Sequence, residues 1–164
     1  MMPHDAPNLL TALEQSGLAA VIRQSVWAYP AANVDHIVAL TLFAGSVAVM
    51  DARLLGAFAA APPADVVRPA RRTAMLGLLL MLITGGVLFT AEASHVGINP
   101  VFQVKVALIA LGLINAFFAG RALGGALDSV PAFEPLPVRI RLSAFLSMGI
   151  WVCVAACGRL IAYF

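Results

Sequence analysis

The sequence predicts an all-α fold: an integral membrane four-helix up-down bundle preceded by a short N-terminal interfacial helix. Three observations predict it. The hydrophobic share of the 164 residues is 62% and the charged share 11%, against about a half and about a quarter in ordinary soluble domains. Four stretches, about residues 34–58, 73–91, 100–123 and 140–163, are long and apolar enough to cross the hydrocarbon, which takes roughly 20 residues of helix. Arginines and lysines also sort by the ends of those stretches, as membrane topology requires.

The first segment, residues 1–30, is read as a periplasmic, interfacial region. "MMPHDAPNLLTALEQSG" has no basic start and no long apolar run, so a cleavable signal peptide is not expected. "NLLTALEQSG" and "LAAVIRQSVWAYP" read as short helices broken near Gly17. In the second, Leu18, Val21, Ile22 and Val26 share one face, with Arg23 and Gln24 opposite. Such a helix lies flat on the membrane, with Trp27 and Tyr29 at headgroup depth.

Residues 31–164 form the bundle. Asp51 and Arg53 end span one, where a snorkelling arginine that neutralises its neighbour is expected as an interfacial anchor. Pro62 and Pro63 close that span off, and "EPLP" delays span four to its basic start at Arg139. Span three opens with Asn99 as N-cap and Pro100 at the first helical position, where its missing N–H costs nothing. Small residues mark close helix contacts in lipid. Gly112, Ala116, Gly120 and Gly124 make one such ladder in span three; Gly149, Cys153 and Cys157 make another in span four. Asn115, at the middle of span three, is read as an interhelical hydrogen bond.

Orientation follows from basic residues. Arg53, Arg68, Arg71, Arg72, Arg121, Arg139 and Arg141 fall at one end of the bundle; Arg23, Lys105 and Arg159 fall at the other. The richer end stays in the cytoplasm, which puts both termini and the short loop "AEASHVGINP" in the periplasm of a bacterial inner membrane. The net charge of +2 is spread by side rather than gathered in a patch, and excludes nucleic acid as a partner. The partners expected are the bilayer and other membrane subunits or a second copy of the chain.

On this topology the polar residues collect near the outer leaflet. Asp35 and His36 enter span one, Glu92 and His95 close span two, Asn99, Gln103 and Lys105 open span three, and Arg159 ends span four. An ionisable group inside a span is a functional candidate by default. His36 shares a stripe with Asn33, Leu40, Phe43, Val47 and Met50; its imidazole can ligate haem or metal, relay protons, or hydrogen-bond to a neighbouring helix. His95 is a second imidazole or a solvated loop residue. Lys105 either pairs with Glu92 or Asp35, or receives an anionic group such as a haem propionate or a lipid phosphate. Cofactor-binding candidates are therefore His36, His95, Lys105 and Arg159, and metal candidates His36 and His95.

"WAYPAANVDH", "DARLLG", "NPVFQVK" with "LINAFF" downstream, and the closing "GRLIAYF" resemble an uncharacterised family of small bacterial four-helix membrane proteins, known as a domain of unknown function, from about Trp27 to Phe164. The histidine opening span one and "PxFxxK" opening span three are more distantly similar to the membrane domain of D-type copper-resistance proteins and to the HemJ-like haem-synthesis proteins. That likeness implies haem or copper. Four-helix diheme cytochromes carry paired histidines on facing spans, whereas this chain has only His36 within one, so two haems are not expected.

No nucleophile–base pair, glycine-rich phosphate loop or zinc spacing is present, so the chain is not expected to be catalytic by itself. Three functions remain. One is a redox subunit holding one haem b or a quinone at the outer leaflet through His36, Lys105 and Arg159. Another is copper handling, with Met1, Met2, His4, His36 and His95 as soft and imidazole donors. The last is a structural anchor within a larger complex.

Overall fold

A computed structural model describes residues 7–124 and 127–163. Among these the chain is all-helical: α1 (Asn8–Glu14), α2 (Gly17–Gln24), α3 (Ala28–Leu55), α4 (Pro63–Ala91), α5 (Ala93–Ile98), α6 (Pro100–Leu123) and α7 (Val138–Leu160). Helices α3, α4, α6 and α7 are the four long and apolar enough to cross a membrane.

Local chemistry sets the ends of these elements. Ser16 caps α2 by accepting from the Ala19 amide, and the break between α1 and α2 falls where Gly17 suggests it. Helix α3 stops at Gly56, whose φ of 115° is a conformation glycine adopts without a Cβ penalty. The Ala57 amide then reaches back to the Ala52 carbonyl, closing the helix in a Schellman turn. Pro63 does not end span one but starts α4, because a first helical turn tolerates a missing N–H. The second span is therefore ten residues longer at its start than composition alone indicates, and the α3–α4 connection is short. Asn99 caps α6 as expected, its Oδ1 accepting from the Val101 and Phe102 amides. The segment around His95 is a helical turn, α5, rather than a loop.

Helix α3 is the centre of the packing. It lies against α4 along its length and against α7, while α6 packs on α7 and α5. Its inward stripe, Ala32, Ala39, Phe43, Val47, Asp51 and Leu54, repeats at intervals of three and four, as a buried helical face must. Helices α3 and α4 come closest at Gly77, where a Cβ would sit 2.8 Å from the Phe43 backbone nitrogen. Gly112 likewise makes room for Trp151, to which a Cβ would approach within 2.9 Å. Asn115 and Ser143 join α6 to α7 by a reciprocal pair of hydrogen bonds, 2.8 Å from the Ser143 hydroxyl and 3.0 Å to its carbonyl. Small residues elsewhere in the expected ladders do something else. Gly120 faces the Arg71 side chain, Gly149 faces open space and Cys153 is exposed, so the close-packed stripe of α7 is Ile140, Ala144, Ser147, Ile150 and Val154.

At the Arg-rich end the two connections are tied together. Phe133 donates its amide to the Ala59 carbonyl, Arg68 grips both oxygens of Asp128, and Leu54, Val67, Leu123, Leu127, Leu136 and Ile140 close a hydrophobic cluster. The outside of the helices carries exposed Val34, Ile37, Val38, Leu82, Ile83, Val104, Phe118, Phe145 and Val152. A soluble surface does not carry so much contiguous apolar area, whereas lipid is its natural solvent.

The Gly77 contact yields a direct check. Gly77→Ala should destabilise the protein by roughly 1–3 kcal/mol, the usual cost of overpacking, while Gly149→Ala should leave it unchanged. Thermal unfolding of both variants in the same detergent measures the difference.

Candidate functional site

The outer-leaflet candidates are only partly brought together. His36 is half-buried, with its Nδ1 2.8 Å from the Thr84 hydroxyl on α4 and its ring against Gly85. The single proton of that hydroxyl is directed at the Leu80 carbonyl, 2.8 Å away. The Nδ1–H of His36 is then the donor, and its Nε2 carries a lone pair with no partner among the described residues. Fixing one ring nitrogen by a hydrogen bond is how proteins present the other to a ligand. Lys105 lies within Coulombic reach of His36, and its Nζ sits 3.4 Å from where a Cβ on Gly158 would be. It makes no ion pair among the described residues; Glu92 accepts instead from the Tyr29 hydroxyl, and Asp35 is exposed. Arg159 turns away to the Tyr163 hydroxyl at 2.9 Å. His95 is exposed on α5. No group of three His, Cys, Asp or Glu side chains is placed to hold a metal ion among the described residues; Met1, Met2 and His4 lie outside them.

A network of side chains fastens the N-terminal helices over this end. Glu14 accepts from both the amide and the hydroxyl of Ser94, and Arg23 bridges the carbonyls of Glu14 and Ala91 at 2.8 and 2.9 Å. Of the apolar face expected on α2, Leu18 and Val21 are exposed, as are Val26 and Trp27 beyond its end, whereas Ile22 is buried with Ala19.

The most unusual chemistry is at the opposite, Arg-rich end. Asp51 and Arg53 do not neutralise each other. Both are 1% exposed, but residues two apart on a helix face nearly opposite directions. Arg53 turns to the α3–α4 connection and donates from Nε and Nη2 to the Ala61 carbonyl, at 3.1 and 2.9 Å. Asp51 faces inward beside the Ser147 hydroxyl, and its Oδ2 has no hydrogen-bond partner among the described residues. It lines a cavity of about 290 Å³ walled by α3, α4, α6 and α7.

Phe43 and Trp151, packed edge to face at 4.6 Å, form the deep wall of that cavity, and Leu78, Leu113 and Phe117 line its sides. Polar groups besides Asp51 are Arg71, Ser147 and the Asn115–Ser143 pair. The Arg71 guanidinium rests on Gly120, 2.9 Å from where a Cβ would be, and forms no ion pair with a described residue. Helices α4 and α6 scarcely pack on each other. They meet at the stacked rings of Phe89 and Phe102, 5.3 Å apart, and at the Arg71–Gly120 contact, so the cavity opens sideways between them.

Sequence reasoning passed over this site. The signal was present: Asp51 falls four residues after Val47 and eight after Phe43, on the same stripe as both. Treating it as one half of a pair with Arg53 hid that register.

Residues 16–164 match the model of a family described as of unknown function, DUF6644. No curated protein matches the chain, and no solved structure does.

The Glu14 contact makes the N-terminal cap sensitive to pH. Hydrogen bonds from Ser94 hold the Glu14 carboxyl below its ordinary value of 4.5. A carboxyl whose pKa is lower in the folded state stabilises fully above its unfolded value, and that contribution is lost as pH falls through the folded one. A spin label at exposed Leu9 should therefore be immobilised at pH 7 and loosen as the pH falls below the ordinary carboxyl value of 4.5 and through the lowered folded one. With Glu14→Ala it should be mobile at both.

Proposed function

We propose that this chain, which belongs to the family of unknown function DUF6644, is a multi-pass membrane subunit that takes a small lipophilic molecule from the bilayer and holds it between its helices. One observation carries the reading: a buried carboxyl, Asp51, with the Ser147 hydroxyl beside it but one oxygen left without a partner among the described residues, in the wall of an apolar cavity. Burying an unsatisfied polar group costs free energy, and ionisable groups within spans mark ligand and proton pathways rather than structural joints. The loose seam between α4 and α6 supplies a lateral entrance from lipid.

In the cell this is an up-down bundle in a bacterial inner membrane, with both termini periplasmic and the cavity in the cytoplasmic half. The sorting of seven basic residues to one end and three to the other supports that orientation. A cysteine at Leu9, in a background without Cys153 and Cys157, should react with an impermeant maleimide on intact cells, and one at Ala60 should not; the reverse labelling would invert the topology.

The outer half supports a second reading. The free Nε2 of His36, with Lys105 nearby, suits one axial ligand for haem b or one imidazole for copper, in line with the distant likeness to the copper-resistance and HemJ-like domains. A Soret band, or about one copper per chain lost in His36→Ala, would establish it. A colourless, metal-free protein from native membranes would remove it.

Filling the cavity separates the main reading from a purely structural subunit. Ala116 lines the cavity, and Ala116→Phe should occupy it. Organic extraction of protein purified in native-lipid nanodiscs should recover about one small lipophilic molecule per chain from the wild type and none from Ala116→Phe at unchanged fold. Identical extracts would leave an anchor within a larger complex.

A further inference from the structure

The walls of the cavity restrict the chemistry of its occupant, and we infer that Asp51 and Arg71 form a site for the head of a quinol, a neutral hydroxylated aromatic ring on a lipid tail. This rests on the reading of the cavity as a ligand site and names the ligand class.

Charge restricts the ligand first. Asp51 Oδ2 lacks a donor, so the ligand must bring an O–H or N–H. Arg71 lies on the same cavity with no ion pair to a described residue, so the ligand must also bring an acceptor oxygen. A fatty acid or another anion would satisfy Arg71 but set its charge against the Asp51 carboxyl. A lipophilic amine would satisfy Asp51 but meet the guanidinium. In a medium of low dielectric such like-charge encounters are costly. A neutral head that carries both a hydroxyl donor and an oxygen acceptor suits both walls without either conflict.

Shape and surface agree with a flat ring. Phe43 and Trp151 meet edge to face at 4.6 Å, and Phe117 lies on the same cavity; an aromatic head can stack or pack against such rings at favourable centroid distances. A volume of about 290 Å³ accommodates a single substituted ring rather than a whole long-chain molecule. The tail has an exit, because the seam between α4 and α6 opens to lipid between the Phe89–Phe102 stack and the Arg71–Gly120 contact. In the bound state the quinol hydroxyl donates to Asp51 Oδ2, and Arg71 donates to a ring oxygen. The oxidised quinone, which has only acceptors, keeps the second bond and loses the first. The site therefore prefers the reduced form.

Fluorescence tests this directly. The chain has two tryptophans, so Trp27→Phe leaves Trp151 as the only indole, inside the cavity. In nanodiscs of phosphatidylcholine, decyl-benzoquinone should quench Trp151. Decyl-benzoquinol should displace the quinone, and its dimethyl ether, which has no O–H, should do so about tenfold less well, the loss of one charge-assisted hydrogen bond. Asp51→Ala should erase that tenfold preference while quenching by the quinone persists, which also shows that the variant is folded. Arg71→Gln should weaken the quinone itself.

The inference is overturned if the ether displaces as well as the quinol, if Asp51→Ala keeps the preference, or if oleate or dodecylamine displaces the quinone more tightly than the quinol. It is also overturned if the quinone does not quench Trp151. In that case a lipophilic molecule still extracted from wild type and absent from Ala116→Phe would mean that the cavity binds a ligand of another class. Identical extracts from both would remove the ligand site altogether.

Discussion

A carboxyl group between apolar helices needs a donor, and in this chain the protein provides only part of one. Asp51 sits on the inward stripe of α3, the helix against which α4 and α7 pack, with the Ser147 hydroxyl beside it and one oxygen unsatisfied among the described residues. The arrangement around it follows from that constraint. Apolar rings of α3 and α7 back the cavity, a guanidinium from α4 lies on its rim, and α6 stands off α4 far enough to leave a way in. The aromatic pair is favourable packing, but the unsatisfied oxygen and the open seam are not, and under the proposed function these two are what a ligand with its own hydrogen-bonding groups would use.

The rest of the molecule reads as the frame that permits this. Gly77 lets α4 approach the backbone of α3, and the Asn115–Ser143 pair fixes α6 against α7 without drawing it onto α4. At the Arg-rich end the connections are knotted by Arg53 on Ala61, Phe133 on Ala59 and Arg68 on Asp128, although the exposed last pair contributes little. At the other end Glu14 and Arg23 hold the interfacial helices down. Looseness is thus concentrated along one seam, between two well-fastened ends.

Much of this fold was legible in the sequence because lipid simplifies the rules. Long apolar runs located the four spans, Asn99–Pro100 marked the start of α6, Gly17 marked the break in the N-terminal helices, and Asn115 was recognisable as a link between helices. The start of α4 was not legible, since two prolines read equally well as an end or a beginning until the Schellman turn at Gly56 decides it. The small-residue ladder of α7 misled for a related reason: spacing identifies a face but not the neighbour that faces it. Among the polar residues, composition drew attention to the outer leaflet, where several charges share a depth. Depth is not proximity. Arg159 and His95 point elsewhere, while Asp51, set aside as half of an interfacial pair, keeps one oxygen unpartnered among the described residues. Rotational register along α3, rather than charge count, distinguished the two cases.

The central claim is that Asp51 is retained for a ligand and not for the fold, and replacing it with an apolar side chain of greater bulk tests that most directly. Leucine puts two methyl groups where the carboxylate oxygens stand, and the cavity beside it has room for their slightly greater bulk. In ligand-free nanodiscs, Asp51→Leu should unfold at a higher temperature than the wild type, by on the order of 1 kcal/mol or more, because an unsatisfied polar group leaves an apolar site. An Asp51→Leu protein that unfolds at a clearly lower temperature would mean that the carboxyl holds the helices together, and would contradict the account.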